Sequence, residues 1–149
     1  MKQPIYNYTW DPEHGIATCT VKTGSHKFFA ISRCHPDDMD MCSEKVGCEI
    51  AYLKVLIQAD KYYRDHLKAQ LAALNDLYYT MKHSTKFNPK SYENKMLQRR
   101  IRLLKNDLAT AKEMLVRDEQ NLKDFIAQRE DFYKKIRRNR KINEKGKNE

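Results

Sequence analysis

The residues of this 149-residue chain best suited to chemistry lie between Leu77 and Lys105, where Tyr78, Tyr79, Phe87 and Tyr92 interleave with Asn88, Asn94 and a run of cations. A ring can stack on a nucleobase, an amide side chain can pair with a base edge, and a guanidinium fork can grip phosphate oxygens at two points. A nucleotide-binding surface needs all three. Lys95, Arg99 and Arg102 follow one another at spacings of four and three, which on a helix places them toward one side, with Arg100 rotated toward another face or a second subunit. The candidate ligand-binding set is therefore Tyr78, Phe87, Asn88, Tyr92, Asn94, Lys95, Arg99, Arg100 and Arg102. The same residues also describe a solvated basic helix face beside an aromatic hairpin cap, and Tyr78 on a helical seam reads equally as core.

The cysteines carry less chemistry. Cys34, Cys42 and Cys48 stand eight and six apart with His35 adjacent to the first, whereas structural zinc sites pair ligands two to four residues apart, so no metal or other cofactor is expected. Cys34 and His35 as nucleophile and base are disfavoured, because neighbours on an extended chain point to opposite faces. The chain has no glycine-rich phosphate loop, nucleophile elbow or His-Glu-x-x-His motif, and it reads as a binder with no catalytic residues. There is no secretory signal, so Cys19, Cys34, Cys42 and Cys48 are expected as reduced thiols in the cytoplasm.

The elements that must hold these groups follow from punctuation and period. All glycines and prolines except Pro89 and Gly146 lie in the first 47 residues. There, three short alternating runs, Ile5–Trp10, Gly15–Lys22 and Lys27–Cys34, are separated by turn residues and predict an antiparallel β meander over 1–38. Pro36 turns the chain out of the strand, and Asp37 and Asp38 are expected to cap the helix that begins near Met39 to Ser43.

From Val46 a seam spaced four and three runs through Ile50, Leu53, Ile57, Asp60, Arg64, Leu67, Leu71, Leu74 and Tyr78 to Met81. A break at 84–91 centres on Pro89, and a helix capped at Ser91 carries a second seam, Leu97, Ile101, Leu104, Leu108, Ala111, Leu115, Asp118, Leu122, Phe125, Arg129, Phe132 and Ile136. The prediction is an α+β chain. A three-stranded meander precedes a long antiparallel two-helix hairpin over 39–142, with a disordered basic tail at 143–149. Arg64 and Asp118 fall at about the same level, either as an edge pair or as a buried pair fixing register. Apolar stripes of this length need further cover, so a homodimer forming a helical bundle, or a higher oligomer built from dimers, is expected.

The formal charge of +9 points to polyanionic partners. It is concentrated in 82–105, where eight basic residues face Glu93 alone, and in 134–149, where eight face two acids; the rest is net acidic. The terminal run makes nucleic acid a secondary partner. No apolar stretch is long enough to span a membrane.

The order of these motifs adds a resemblance. A β meander, Cys34-His35-Pro36-Asp37-Asp38, then Ser43 to Ala51, then Phe87-Asn88-Pro89-Lys90-Ser91-Tyr92-Glu93 and Met96-Leu97-Gln98-Arg99 resembles the first described type of phage anti-Thoeris sponge proteins. The resemblance implies a phage protein, acting in the cytoplasm of the infected bacterium, that sequesters a cyclic ADP-ribose isomer made by TIR enzymes without cleaving it. Some members of that family also take cyclic di- or trinucleotides. It further implies pockets built between protomers, with an aromatic on adenine, an amide on its edge and arginines on phosphate.

Overall fold

The computed structural model describes residues 3–148, the side chain of Asp37 excepted. Three strands, β1 (Tyr6–Asp11), β2 (Ile16–Thr23) and β3 (His26–Arg33), are followed by a 3-10 turn at Pro36–Met41 and two long helices, α1 (Glu44–Lys82) and α2 (Tyr92–Lys147). The fold is α+β, with an antiparallel sheet in the order β1-β2-β3. The chain separates into two compact units that cut across the sheet and helix boundary: residues up to Gln58 with those from Asp118 onward, and Ala59–Arg117.

In the first unit, local chemistry sets both hairpin turns. Asp11 Oδ1 accepts the amides of Glu13 at 3.0 Å and His14 at 3.3 Å, and Gly15 closes the bend at φ 62°. His14 bonds the other carboxylate oxygen and holds the Asp11 carboxyl below its usual range. Gly24-Ser25 forms a two-residue loop with positive φ, 59°, only at the glycine, as a type II′ hairpin requires. One sheet face is buried by alternation: Ala17, Cys19 and Val21 of β2, with Phe28, Ala30 and Ser32 of β3.

Ala51 and Val55 of α1 cover that face, and Tyr6 meets Tyr52 edge-on at 5.0 Å between centroids. Small residues allow the close approach. A Cβ at Gly47 would stand 3.0 Å from Ala17 Cβ and 3.1 Å from the Trp10 ring. Gly47 and Ala51 of this stripe stand one residue along from the predicted seam and Val55 two, and the fully buried Val55 side chain contributes about 1.5–3 kcal/mol.

Three expectations here need correction. The helix cap is Ser43, whose Oγ accepts the Val46 amide at 3.4 Å; Asp38 instead turns its carboxylate to Arg137, and the Asp37 side chain lies outside the described residues. Cys34 and Cys42 are joined as a disulfide across a Cα separation of 6.2 Å, because the 3-10 turn doubles the chain back; only Cys19 and Cys48 are free. The tail expected to be disordered from 143 is also helical through Lys147, Gly146 included, with no proline to stop it and with Lys145 and Lys147 complementing the helix dipole.

The second unit is the helical hairpin. Leu67 packs with Leu104, Leu108 and Ala111, and Leu71 and Leu74 adjoin them, so the α2 seam from Ile101 to Leu115 is buried as the four-three spacing predicts. Tyr78 lies opposite Gln98 while Leu67 lies opposite Leu108, which makes the pairing antiparallel. Arg64 takes its neighbour Asp65 at 3.0 Å. No helix of the described residues is long and apolar enough to cross a membrane.

Candidate functional site

The hairpin tip brings together four of the predicted residues and uses them structurally. Phe87 closes against Tyr78 edge-on, at 6.0 Å and 77°. The Tyr78 hydroxyl lies 3.5 Å from Gln98 Nε2, which donates to it. Asn88 Oδ1 accepts the Lys90 amide at 3.0 Å, and its carbonyl accepts both the Ser91 amide at 3.1 Å and Asn94 Nδ2 at 2.6 Å. Ser91 Oγ caps α2 by accepting the Asn94 amide at 3.3 Å. Asn94 is buried, with Oδ1 lacking a partner. Both amides therefore serve the turn's own backbone, which is what Asn does when a bend leaves main-chain groups unsatisfied.

The other five predicted residues, Tyr92, Lys95, Arg99, Arg100 and Arg102, are exposed, Tyr92 by 74%. The four cations have no ion-pair partner among the described residues. The tip is thus a rigid cap carrying an electropositive, ring-bearing open surface.

A better enclosed site lies in the first unit, where the end of β3, the 3-10 turn, the start of α1 and the later part of α2 surround a cleft of about 200 Å³. Val46, Ile50 and Ile126 supply apolar wall, Trp10 and Tyr133 supply rings, and Arg33, His35, Arg129 and Glu130 supply charge or hydrogen bonds. A mostly apolar wall with a few convergent polar groups is the lining of a small-ligand site, and the enclosed volume is enough for part of such a ligand. Arg129 is held with its guanidinium 5.2 Å from the centre of the Phe125 ring.

The walls are tied by long-range contacts. Asp38, buried and lining the cleft, accepts from Arg137 Nε at 3.1 Å and from its Nη2. Arg140 reaches Asp40 in the same 3-10 turn. Both bonds join segments about a hundred residues apart, and they engage two cations of the terminal basic run. The disulfide closes the same turn. Among the described residues no group of three His, Cys, Asp or Glu side chains gathers as a metal site would require.

Local sequence reasoning missed this cleft. Its visible traces were Arg129 on an otherwise apolar seam and Arg33 and His35 at the end of a strand. Tyr133 lines it, while the seam residue Phe132 is 51% exposed. No protein-family model matches the chain, and no curated protein and no solved structure matches it.

Proposed function

We propose that this protein binds a small cyclic nucleotide and holds it without cleaving it, a cyclic ADP-ribose isomer or a cyclic oligonucleotide being the class of ligand. The observation that carries the reading is the cleft of about 200 Å³, lined together by Trp10, Tyr133, Arg33 and Arg129. A planar base suits the rings and a phosphate suits the forks. The tip residues Tyr92, Lys95, Arg99, Arg100 and Arg102 supply a second surface of the same chemistry, one that a second protomer would have to close. Exposed apolar side chains along the hairpin, Leu77, Leu103, Met114 and Val116, support a homodimer or a dimer-based higher oligomer. The resemblance to anti-Thoeris sponges supplies the setting, immune evasion by a phage in the host cytoplasm.

A thermal-shift screen with cyclic ADP-ribose isomers, cyclic di- and trinucleotides, linear ADP-ribose and a short oligonucleotide tests this. A ligand at about 100 times its Kd adds about 2.7 kcal/mol, enough to raise Tm visibly. The expected result is a selective shift with a cyclic species that mass spectrometry recovers intact. Loss of the shift in Arg33→Ala with Arg129→Ala assigns the cleft, and loss in Arg99→Ala with Arg102→Ala assigns the tip. A shift with the oligonucleotide alone, or conversion of the ligand, refutes the proposal.

A further inference from the structure

β3 is an edge strand of eight residues, and all eight pair with β2 in uninterrupted register, with no bulge and no proline. In an antiparallel strand the N–H and C=O of one residue point to the same side, and successive residues alternate. Lys54 Nζ donates to the Ile31 carbonyl at 3.1 Å, so the main-chain groups of Ile31 face away from β2, and those of Lys27 and Phe29 share that parity. The Cys34 amide, of opposite parity, bonds Gly15 O at 2.8 Å on the β2 side.

Beside this edge runs a groove of about 610 Å³, bounded by the strand from His26 to Ile31, by Lys54 and Ile57 of α1 and by Leu122 of α2. Phe29 and Ile31 are 54% and 37% exposed beside it. Natural sheets usually blunt an open edge with a bulge, a proline or inward charges, and this one has only Lys27 and Lys54.

We infer that the β3 edge docks an extended acidic segment of a partner protein as a fourth strand, its main chain bonding Lys27, Phe29 and Ile31. Alternate side chains of that strand would fall over Ile57 and Leu122 on one face and beside Phe29 and Ile31 on the other, which favours apolar residues. The described groove lining holds Lys27, Lys54 and His26 and no carboxylate, so acidic residues complement it. The same charge argues against a second copy of β3, because antiparallel self-pairing would bring Lys27 and Arg33 of two chains toward one another. This surface is separate from the cleft and does not depend on nucleotide binding.

The test uses the full chain and a fluorescein-labelled octapeptide of alternating valine and glutamate, followed by anisotropy. Two controls replace glutamate by lysine, or N-methylate the amides along one edge. The acidic peptide is expected to bind, and both controls roughly tenfold or more weakly, the loss that a difference of about 1.4 kcal/mol produces. Phe29→Pro removes an outward N–H while leaving the ladder to β2 intact, and Lys54→Glu reverses the groove charge and removes the Lys54 Nζ bond to the Ile31 carbonyl, again leaving that ladder intact. Each is expected to abolish binding with the circular dichroism unchanged. No binding of the acidic peptide at millimolar concentration, equal binding of the lysine peptide, or insensitivity to both substitutions overturns the inference. It is also overturned if sedimentation shows an oligomer that Phe29→Pro dissociates, since a second copy then occupies the edge.

Discussion

Two glycines with nearly the same backbone angle give a controlled test of how tightly the cleft is built. Gly15 and Gly24 have φ of 62° and 59°, so an alanine at either meets a backbone penalty of at least about 1–2 kcal/mol. They differ in surroundings. A Cβ at Gly24 has nothing within 4 Å, whereas one at Gly15 would stand 2.7 Å from Cys34 Cβ and 2.9 Å from Met39 Sδ. Met39 can swing aside, but Cys34 Cβ is fixed by the strand end and the disulfide, so overlap adds about 1–3 kcal/mol. Gly24→Ala should cost at least about 1–2 kcal/mol, and Gly15→Ala should cost about 2 kcal/mol more. With a urea slope of about 2 kcal/mol per molar, the two midpoints separate by about 1 M. Trp10 is the only tryptophan and lines the cleft, so its fluorescence follows the first unit. Equal midpoints would refute the packing assigned to Gly15.

Leu104, 1% exposed in the hairpin core, should cost about 2–5 kcal/mol as Leu104→Ala, seen as earlier loss of helical ellipticity with Trp10 fluorescence as the contrasting probe. Arg137→Ala leaves the Asp38 carboxylate buried without one of its charged donors and should cost about 1–3 kcal/mol in urea; Arg140→Ala, whose pair with Asp40 is half exposed, should cost less than about 1 kcal/mol. Thiol titration of the denatured, unreduced chain should find two free groups, Cys19 and Cys48, and four after reduction, with a lowered Tm for the reduced form. Burial pushes the Cys19 thiol up. The unfolded chain therefore loses that proton first, and stability present below the ordinary thiol range should fall as pH rises through the folded value. Alkylation of Cys19 should be slow until the protein unfolds, and Cys19→Ala should remove its part of the pH dependence.

Much of the fold was legible because its signals are local. Gly15, Gly24 and Pro36 sit where the chain bends, and period-two and four-three spacings identify strands and seams. The second stripe of α1 was not legible. Gly47 and Ala51 are too small to register as apolar, and their function is to let the helix approach the sheet. At the tip, the residue types were read correctly as rings, amides and cations, but a sequence cannot say that Asn88 and Asn94 satisfy the bend instead of facing outward. The cleft was least legible because it joins residues near 33–47 to residues near 126–133, with no periodicity to connect them.

That long-range construction has a physical consequence for binding. Arg33 and His35 flank Cys34, and Asp38 lies between the bonded cysteines, so one short segment carries several cleft-lining side chains and both of its fastenings. The disulfide constrains a loop of about nine residues, worth about 2–3 kcal/mol on the chain-entropy account. The Asp38–Arg137 pair fastens the same loop to α2 without redox chemistry. If the disulfide is reduced, the ion pair becomes the main tether that keeps the loop against Arg129 and Tyr133. A buried aspartate with a two-point guanidinium partner is strong enough for that role, whereas the exposed Arg140–Asp40 pair is not. The cleft therefore survives reduction in proportion to what Arg137 contributes, and the two tethers should prove more than additive when both are removed, since either alone fixes the same segment.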